Sequence, residues 1–595
     1  MRQLLDNEAP QGVSDEWSTI PWRKLERYIF RLQKRIYRAK QRGDTRAVRG
    51  LKRVLKRSKA ATTLAVRQVT QDNRGKRTAG IDGVKNLNPA ERLVMASQLT
   101  LEGKAAPVRR IWIPKPGKDE KRPLGIPTMV DRARQALAKM ALEPEWEAVF
   151  EPNSYGFRPG RSCHDAIEQI FTAMRKEKYI LEADIKGCFD NIVHEALLDK
   201  INDPELRPIL KGWLKAGIMD QDVFQETEQG TPQGGVLSPL LANIALHGLE
   251  EDTKEALKTS LNRAEKPYHR GWQRTRTTLQ VIRYADDFVV IHKDLSVIQE
   301  AEKYIATWVG RMGLQLKPEK TRIVHSLLRH EGNEPGFNFL GFHCRQYRRT
   351  PGGKFKTLIK PEKDKVRRHL KQIGKIIREM GINSQRELIG KINPRVAGWS
   401  NYYRTCTASE TFKKADNAVY WQLKEWTKKQ RRIRSIKRKM RKYFRETESR
   451  AWVFATNEGK TLLRHDATKI VRHVKVKEGK SPFDGDWAYW ATRLGHSPLL
   501  SPRRARLLKE QKGKCGCCKL LFRYEDILEV HHVDGDRKNN KGHNLMLIHG
   551  HCHDQITAQM LRTLGKGSVT EEPCARKRAS TVLKQRCEGR PLHRL

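Results

Sequence analysis

The chain has 595 residues, and its 118 lysines and arginines against 68 aspartates and glutamates give a net charge of +50. This length predicts about four domains, and this charge predicts a polyanionic partner, of which nucleic acid is the first candidate. No apolar run approaches the roughly 18 residues of a transmembrane helix, and the N-terminus lacks a signal-peptide apolar region, so we expect a cytoplasmic protein with no membrane partner.

The first predicted element is a basic amphipathic helix. Between residues 22 and 39, apolar side chains recur three or four positions apart with lysines and arginines between them, which is the pattern of a helix with a basic outer face. The apolar positions are Leu25, Ile29, Leu32 and Ile36. Because the same sign of charge recurs over much of the chain, contact with a polyanion is favoured over a merely solvated helix face.

The central part of the chain has a different texture. From about residue 109 to residue 342, short apolar runs punctuated by glycine and proline alternate with helical patterns, which predicts an α+β body. Within it, residues 250–276 form a polar stretch with many lysines and arginines. We interpret this stretch as an insertion on the basic surface.

After residue 342 the pattern becomes helical and basic again. Residues 424–450 hold thirteen lysines or arginines against three glutamates. Aromatic residues interleave with this charge and offer stacking faces, which favours nucleic-acid contact over the alternative of a linker. The positions predicted to bind nucleic acid here are Lys437, Arg438, Lys439, Arg441 and Lys442.

Three aspartates interrupt the basic central region. Asp184 ends an apolar run, and Asp286 and Asp287 lie between two apolar runs that predict the strands of a hairpin. Adjacent aspartates between strands are commonly turn formers, which is the alternative for this pair taken alone. If the hairpin tip lies beside the strand that ends at Asp184, bound cations would relieve the repulsion among three close carboxylates. Hard oxygen ligands favour Mg²⁺, and paired Mg²⁺ ions support in-line nucleotidyl transfer.

The order of short motifs along the chain resembles that of reverse transcriptases, and specifically that of the proteins encoded within bacterial group II introns. The motif YADD at 284–287 is weak by itself, but nine blocks in order are specific. The other blocks are VRQVT (66–70) with TAGIDG (78–83), RIWIPK (110–115), RPLGIPT (122–128), SYGFRPGR (154–161), the Asp184 strand, GTPQGG (230–235) with LSPLLAN (237–243), GLQLKPEKT (313–321) and NFLGF (338–342). The resemblance implies that Asp184, Asp286 and Asp287 hold two Mg²⁺ ions.

The same resemblance implies a nucleotide site in front of these carboxylates. Lys115 and Arg122 would pair with the triphosphate of an incoming dNTP, because a triphosphate needs positive donors opposite the metals. Gln233 would lie against the nucleotide. Phe189 would lie beneath the sugar and exclude a 2′-hydroxyl, which predicts the use of dNTPs; core packing is the alternative for this ring.

Residues 391–403, KINPRVAGWSNYY, resemble the signature of the helical thumb that is called the maturase or X domain. The resemblance implies binding of structured intron RNA. The residues assigned to this contact are Arg395, Trp399, Tyr402 and Tyr403, and helix packing is the alternative for all four. Binding of this kind should depend steeply on salt, because neutralising phosphates releases counterions.

Ten cysteines in so long a chain are too few for a disulfide framework, but four of them fall within a Cys/His-rich segment at about 501–557. A C-x-x-C pair and a later His/Cys pair at this spacing predict a structural Zn²⁺ site. The predicted ligands are Cys515, Cys518, His549 and Cys552. Cys517 and His551 remain alternative ligands.

Between the two pairs, a histidine doublet at a strand end resembles the HNH endonuclease, whose ββα-metal fold holds one catalytic metal, here expected to be Mg²⁺. In that resemblance His532 is the general base that activates water, and His531 and His553 bind the metal. Asn544 would orient the loop and the base. A purely structural zinc ribbon is the alternative, although a ribbon needs neither the doublet nor the asparagine. His549 stands where the commoner HNH pattern has a cysteine.

These features predict an α+β fold, a right-hand polymerase of fingers and palm with a helical thumb, plus a small ββα-metal HNH domain. The predicted divisions are 1–108 (N-terminal basic helical extension and start of the fingers), 109–345 (reverse transcriptase fingers and palm), 346–445 (thumb or maturase domain), 446–505 (DNA-binding region), 506–570 (HNH endonuclease with zinc site) and 571–595 (basic tail).

The predicted function combines three activities. The chain would be an RNA-directed DNA polymerase, a maturase that binds its group II intron RNA and assists splicing, and an HNH endonuclease. The nuclease would nick target DNA so that the released 3′-hydroxyl primes reverse transcription in retrohoming, with the cytoplasmic protein associated with the nucleoid when bound to DNA. One alternative is a domesticated or defence-associated reverse transcriptase with an HNH nuclease that is not tied to an intron. Another is an RNA-binding maturase whose polymerase has decayed, against which the three intact aspartates argue.

Overall fold

The computed structural model describes residues 16–563 apart from short gaps. The gaps are 18, 115–119, 221–222, 232, 265–270, 349–354, 382–383, 431–434, 448–449, 496, 498–499, 523–525 and 537–538. The predicted triphosphate ligand Lys115 and the predicted tail 571–595 lie outside the described residues. Among the described residues, no helix is long and apolar enough to cross a membrane.

The N-terminal part is a layer of helices. They are α1 (Trp22–Gln41), α2 (Thr45–Lys56), α3 (Lys59–Arg67) and α4 (Pro89–Gln98), with a π-helical turn (Gln68–Asp72) and a 3-10 turn (Arg74–Arg77) after α3. The apolar stripe of α1 is buried at Ile29, Leu32 and Ile36, which confirms the predicted amphipathic helix. Helix α4 begins at a capping box, in which the side chains of Asn88 and Glu91 each accept a backbone N–H of the other.

Two sheets form the fingers and the palm. Their strands are β1 (Val108–Pro114), β2 (Lys121–Ile126), β3 (Tyr179–Asp184), β4 (Ile218–Asp220), β5 (Val223–Gln225), β6 (Gln280–Tyr284), β7 (Asp287–His292) and β8 (Arg322–His325). The fingers sheet has the order β2-β1-β4-β5, and the palm sheet has the order β6-β7-β3-β8 with antiparallel neighbours. Both faces of the palm sheet are covered, since Leu181 and Val290 enter one apolar core while Ile180 and Ile291 enter another.

Helices pack on both faces of the palm sheet. They are α5 (Met129–Glu147), α6 (Cys163–Ala173), α7 (Cys188–Asn191), α8 (His194–Ile201), α9 (Arg207–Leu214), α10 (Ser238–Ala245), α11 (Leu249–Ala256), α12 (Lys258–Ala264), α13 (Trp272–Thr275) and α14 (Leu295–Gly310). Helix α5 is largely buried and is in contact with α1, α2 and α3 of the N-terminal layer. The predicted α+β body is therefore one continuous structure with the N-terminal helices.

The predicted surface insertion at 250–276 is wrong for its first half. Helices α11 and α12 pack against α14, and Leu257 and Leu261 are buried in the palm core. Thr253 is buried one helical turn earlier, so the three positions form the i, i+4, i+8 stripe of a packed helix. Lys254 is also buried and pairs with Glu250 (2.5 Å), so its charge is not available on the surface.

The thumb follows a small sheet of strands β9 (Phe337–Phe339), β10 (Phe342–Arg348) and β11 (Phe355–Pro361). Its helices are α15 (Lys363–Glu379), α16 (Gln385–Tyr403), α17 (Ser409–Lys428) and α18 (Ile436–Tyr443). They bury a separate apolar core that includes Ile373, Leu388, Val396 and Leu423. This arrangement agrees with the helical thumb that the sequence predicts.

The segment after the thumb returns to the palm. It contains β12 (Phe444–Thr447), β13 (Arg450–Phe454) and α19 (Trp487–Gly495). The buried Asp165 of α6 accepts hydrogen bonds from Val476 N (2.8 Å) and from the His473 imidazole (3.1 Å), and it contacts Arg493. Although burial raises the pKa of Asp165, the bond from His473 and the charge of Arg493 hold that pKa well below its usual value. The segment is thus anchored on the palm by a buried charge.

The described C-terminal part, residues 502–563, is the Cys/His module. Its elements are α20 (Pro502–Glu510), β14 (Leu528–His532), β15 (Leu545–His549) and α21 (Gly550–Thr563). Strands β14 and β15 are antiparallel, and α21 packs against both, so the chain runs strand, strand, helix.

The Cys/His module rests on the N-terminal layer through a charged contact. The guanidinium of Arg67 lies 2.6 Å from His551 Nδ1 and pairs with Glu26 and Asp72 (3.2 Å each). It also lies over the ring of Trp22, 4.6 Å from the ring centroid. Because Arg67 and His551 are both buried, this contact fixes the module against α3 and the π-helical turn.

We expect Arg67→Ala to destabilise the chain by about 3–5 kcal/mol, because it leaves the carboxylates of Glu26 and Asp72 partly buried without their cation. Urea unfolding measures this change. Arg53→Ala is the matched control, since Arg53 is exposed in its pair with Glu205 and should change stability by no more than about 1 kcal/mol. Equal, small effects of the two substitutions would contradict the assignment of Arg67 as a docking residue.

Candidate functional site

Three aspartates meet at one edge of the palm sheet. Asp184 ends β3 and faces Asp287, the first residue of β7, in antiparallel register. Tyr284 and Asp287 close the two-residue turn between β6 and β7, and Asp286 lies in that turn. Residues directly opposite in antiparallel strands have Cα atoms about 4.5–5.5 Å apart. The structure therefore places the three aspartates next to one another along the backbone at this edge of the sheet, and their joint binding of metal ions stays a prediction.

The turn itself depends on a close backbone approach. Ala285 has a φ of 58°, in the left-handed region, which a sharp two-residue hairpin requires. Gly156, from the SYGFRPGR motif, packs against this turn, and a Cβ on residue 156 would lie 2.3 Å from Ala285 N. On the other side, Ile185 N donates to Asp286 O (3.3 Å). A side chain at position 156 would therefore displace the turn that carries Asp286.

A lysine supplies positive charge to the carboxylates. The Lys320 ammonium contacts Asp184 Oδ2, and Lys317 N donates to Asp184 O (2.8 Å), so the 313–321 motif is delivered to the end of β3. Burial, together with the negative charges of Asp286 and Asp184, raises the pKa of the Cys188 thiol. The site is thus a region of negative potential that already attracts a cation, and its hard oxygen donors fit a divalent ion such as Mg²⁺.

The predicted nucleotide residues surround this edge in part. Arg122 lies in β2 opposite Ile113, half-buried, and Gln233 O accepts from Gly125 N (2.7 Å), which ties the 230–235 loop to the fingers. Gly230 packs against the backbone at Phe189, where a Cβ would lie 2.7 Å from the carbonyl oxygen.

Phe189 is largely buried. Its ring packs edge-on against Phe157, with 6.0 Å between centroids, and its carbonyl accepts from Thr231 N (2.5 Å). Core packing, the alternative given to this ring, therefore describes its contacts in the structure. Its proposed position beneath a sugar stays a prediction.

The thumb signature packs inward, and here the structure corrects the predicted RNA contacts. The hydroxyls of Tyr402 and Tyr403 donate to Leu340 O (2.8 Å) and Gly341 O (3.0 Å). Tyr403 is buried, so the prediction that it contacts RNA directly is wrong. The helix-packing alternative also describes Trp399, whose ring stacks on His369 at 4.6 Å. These aromatics join α16 to the small sheet because their hydroxyls and rings find partners at the 338–342 motif.

Arg395 is half-buried on α16, and its contact with RNA stays a prediction.

The basic helix α18 has some of its charged side chains in solvent and one in the core. Its exposed positions are Lys437, Arg438, Arg441 and Lys442. Lys439, which the sequence also predicts to bind nucleic acid, is 8% exposed, and its ammonium donates to Lys428 O (2.6 Å). The prediction is therefore wrong for Lys439, because its side chain caps the C-terminal end of α17.

The Cys/His module gathers four potential metal ligands. The ligand atoms of these residues all lie within 4.8 Å of one another, and the residues are Cys515, Cys518, His549 and Cys552. Hydrogen bonds with Cys515 and Cys552 lower the pKa of Cys518, which favours a thiolate. Three sulfurs and an imidazole fit tetrahedral Zn²⁺. Of the two alternative ligands, Cys517 is exposed and His551 faces Arg67.

One carboxylate at this cluster was missed by the sequence prediction. Asp526 Oδ2 lies 3.3 Å from His549 Nε2, on the side of the ring away from Cys518. Carboxylates in this position orient a histidine for metal binding. An aspartate between a C-x-x-C pair and a strand carries no distinctive sequence signal, so only the structure identifies it.

The histidine doublet lies at the end of β14. His531 packs against His553 of α21, with 5.5 Å between ring centroids, and His553 Nδ1 lies 3.1 Å from Glu529 Oε2. Glu529 was also missed, although it lies two residues before His531 and therefore on the same face of the strand. Within the described residues, His532 Nε2 is buried and has no hydrogen-bond partner.

Asn544 organises the loop after the doublet. Its Oδ1 accepts from Asp534 N (3.0 Å), and its Nδ2 donates to Asp534 Oδ1 and Asn539 O (2.8 Å each). Val533 N donates to the Asn544 carbonyl (2.9 Å). These bonds fix the loop next to His532, and the role of Asn544 in orienting a catalytic base stays a prediction.

Comparison with protein families agrees with this geometry. Residues 113–344 match the family described as reverse transcriptase (RNA-dependent DNA polymerase), and residues 17–99 match the N-terminal domain of reverse transcriptase. Residues 366–444 match the group II intron maturase-specific domain.

Similarity to individual proteins extends further along the chain. The chain is 28% identical over 578 residues to the group II intron-encoded protein LtrA of Lactococcus lactis subsp. cremoris, and the match covers 81% of this chain and 92% of LtrA. It is 33% identical over 329 residues to protein YkfC of Escherichia coli K12, covering 50% of this chain and 84% of YkfC. Maturase-like protein 1 of Euglena gracilis is 23% identical over 399 residues, covering 64% and 76% respectively.

The chain therefore belongs to the family of group II intron-encoded reverse transcriptases with a maturase domain. The predicted class of mixed α and β polymerase with fingers, palm and thumb is confirmed.

Proposed function

We propose that this chain is a multifunctional group II intron-encoded protein. It would copy RNA into DNA, bind its intron RNA and assist splicing, and nick target DNA so that the new 3′-hydroxyl primes reverse transcription in retrohoming. The observation that carries the proposal is the pairing of Asp184 with Asp287 beside Asp286. The maturase-specific match favours an intron RNA as partner, and so favours this function over that of a domesticated or defence-associated enzyme.

DNA synthesis would take place at the carboxylate edge. Reverse transcriptases normally use Mg²⁺, and Asp184, Asp286 and Asp287 would hold the ions. When bound, paired Mg²⁺ stabilises negative charge on the attacking and leaving oxygens. The primer 3′-hydroxyl would attack the α-phosphorus of the dNTP while the bond to pyrophosphate breaks. Lys320 would remain near Asp184 as a positive group at the same edge.

The incoming dNTP would lie between the fingers and the palm. Lys115 and Arg122 would neutralise its triphosphate, since charge-assisted bonds to phosphate oxygens are the strong ones. Gln233 would lie against the nucleotide, because its loop is tied to the fingers at Gly125. Phe189 would close the space beneath the sugar against a 2′-hydroxyl.

We expect Asp286→Ala to reduce primer extension on an RNA template by about 10³-fold or more, because metal charge stabilisation contributes several kcal/mol to the reaction. Intron RNA binding should stay near the wild-type level, since the basic surfaces are unchanged. Asp199→Ala is the matched control, an exposed palm carboxylate that pairs with Arg207. Full polymerase activity of Asp286→Ala would contradict the assigned site.

The nuclease would use the end of β14. His532 would act as general base, because its Nε2 makes no hydrogen bond among the described residues and so is not already engaged by another side chain. His531 and His553 would hold the catalytic metal, expected to be Mg²⁺, with Glu529 supporting His553. Asn544 would orient the loop beside the base.

Zn²⁺ would hold the module together at a distance from this chemistry. The proposed ligands are Cys515, Cys518, His549 and Cys552. Four side chains and no open position suit a structural site and not a catalytic one. A zinc ribbon without nuclease activity is the alternative, which the following experiment separates from the HNH proposal.

We expect His532→Ala to slow nicking of target DNA by about 10²- to 10⁴-fold, which is the usual contribution of a general base. Primer extension from a supplied primer should be unchanged. His543→Ala, at an exposed position in the same loop, is the control. If the wild type nicks target DNA and His532→Ala nicks it equally fast, the assigned base is refuted. If the wild type does not nick target DNA, the zinc ribbon is favoured.

The exposed face of α18 would contact nucleic-acid phosphates. We expect the combined alanine substitution of its four exposed cations to reduce the slope of log affinity against log salt by about 0.9 for each lost contact with duplex DNA. The substituted residues are Lys437, Arg438, Arg441 and Lys442. Lys439→Met is the control, because Lys439 is buried and should leave the slope unchanged. An unchanged slope in the fourfold variant would favour the linker interpretation.

A further inference from the structure

Two buried residues outside the carboxylate set hold the turn that carries Asp286. Arg283, in β6, is 2% exposed, and its Nη1 donates to Ala285 O (3.3 Å) and to Asn243 Oδ1 (3.1 Å). Asn243, in α10, is 1% exposed, and its Nδ2 donates to Gly156 O (2.8 Å). One guanidinium–amide pair therefore binds the carbonyls on both sides of the contact between Gly156 and the turn.

The backbone around Arg283 strengthens the same contact. Arg283 N donates to Asn153 O, and Tyr155 N donates to Arg283 O (2.9 Å each), so the segment before Gly156 runs alongside β6. Ile185 N binds Asp286 O from the opposite side. The turn is thus held between β3 and the 153–156 segment, and Arg283 with Asn243 closes the arrangement from α10.

The buried guanidinium of Arg283 donates hydrogen bonds to one carbonyl oxygen and one amide oxygen. Desolvation of such a charge is unfavourable by several kcal/mol unless nearby groups compensate. Here burial lowers the pKa of Arg283, and the charges of Glu151 and Glu250 offset that effect only in part. Burial raises the pKa of Glu151 to about 7, which shows how strongly this region disfavours charge. An apolar core would stabilise the palm without this network, and the hydrogen bonds of the network are made to the turn and to Gly156.

We infer that Arg283 and Asn243 are positioning residues for the polymerase site, which fix the Ala285 and Gly156 carbonyls and thereby hold the Asp286 carboxylate in place to bind metal. This inference rests on the proposed function, because it takes Asp286 to be a metal ligand. Neither residue would touch the metal or the nucleotide. Residues that orient metal ligands in this way typically change metal affinity or activity by about 10- to 100-fold when replaced.

The test uses the full chain with Asn243→Ala and Arg283→Lys. A lysine ammonium cannot make the two directed bonds of a planar guanidinium, so Arg283→Lys keeps the charge but loses the bridge. Gln346→Ala is the matched control. Gln346 is an equally buried amide whose Nε2 donates to Met174 O (2.7 Å), and it makes no contact with the turn.

Three quantities are measured for each protein: the Mg²⁺ concentration for half-maximal primer extension, Mn²⁺ binding by electron paramagnetic resonance without nucleotide, and the thermal midpoint. We expect Asn243→Ala and Arg283→Lys to raise the half-saturating Mg²⁺ concentration and the Mn²⁺ dissociation constant by about 10- to 100-fold. Gln346→Ala should lower the thermal midpoint but leave both metal constants unchanged. If Asn243→Ala does not fold, Asn243→Asp replaces it, since it keeps the acceptor for Arg283 and loses the donor to Gly156.

The outcomes separate the inference from the proposed function. Wild-type Mn²⁺ binding that is lost in Asp286→Ala but retained in Asn243→Ala and Arg283→Lys would overturn the inference alone. Metal constants that shift as much in Gln346→Ala as in Asn243→Ala would also overturn it, because the effect would then be general destabilisation. A wild-type chain whose Mn²⁺ binding does not depend on Asp286 would overturn the proposed site and the inference with it.

Discussion

Two aspartates face each other across neighbouring antiparallel strands of the palm, Asp184 at the end of β3 and Asp287 at the start of β7. Like charges directly opposite in a sheet are destabilising, so this register needs compensating positive charge. Lys320 provides some of it, and a bound divalent ion would provide more. Two motifs that lie far apart in the sequence meet at this edge of the sheet. One delivers Lys320, and another places Gly156 against the turn, where no side chain fits.

The net charge of +50 counts cations that serve architecture as well as those that face solvent. Lys52 is buried between Glu145 (2.6 Å) and Asp203 (2.5 Å), and so joins α2 to α5 and to the palm. Lys439 caps the C-terminal end of α17, and Arg67 contacts the Cys/His module. Fewer cations therefore face solvent than the composition alone suggests, because several are paired within the fold.

What the sequence could predict follows from the range of the interactions involved. Strand ends and hairpins are local, so the strand end at Asp184 and the YADD turn could each be predicted, as could the four-ligand cluster from its spacing. The meeting of Asp184 with the turn is not local, and it was expected from the resemblance to reverse transcriptases. Burial is not local. Aromatics such as Tyr403 have the same sequence signal whether they stack on RNA or pack between a helix and a sheet, and only the 338–342 carbonyls decide it. The Arg67–His551 contact joins residues far apart in the chain and has no pattern to reveal it.

The Arg67–His551 contact links the predicted zinc site to the polymerase through hydrogen bonds and ion pairs. His551 lies between two of the four clustered ligands, His549 and Cys552, and its ring stacks on His549 with 4.9 Å between centroids. In small metal-binding modules the free energy of metal binding is folding free energy, because the site does not exist in the unfolded chain. Ordering the ligand knuckle would therefore also order His551, the residue that meets Arg67. The module then needs only a small apolar core of its own, since part of its attachment to the N-terminal helical layer comes from the charges around Arg67.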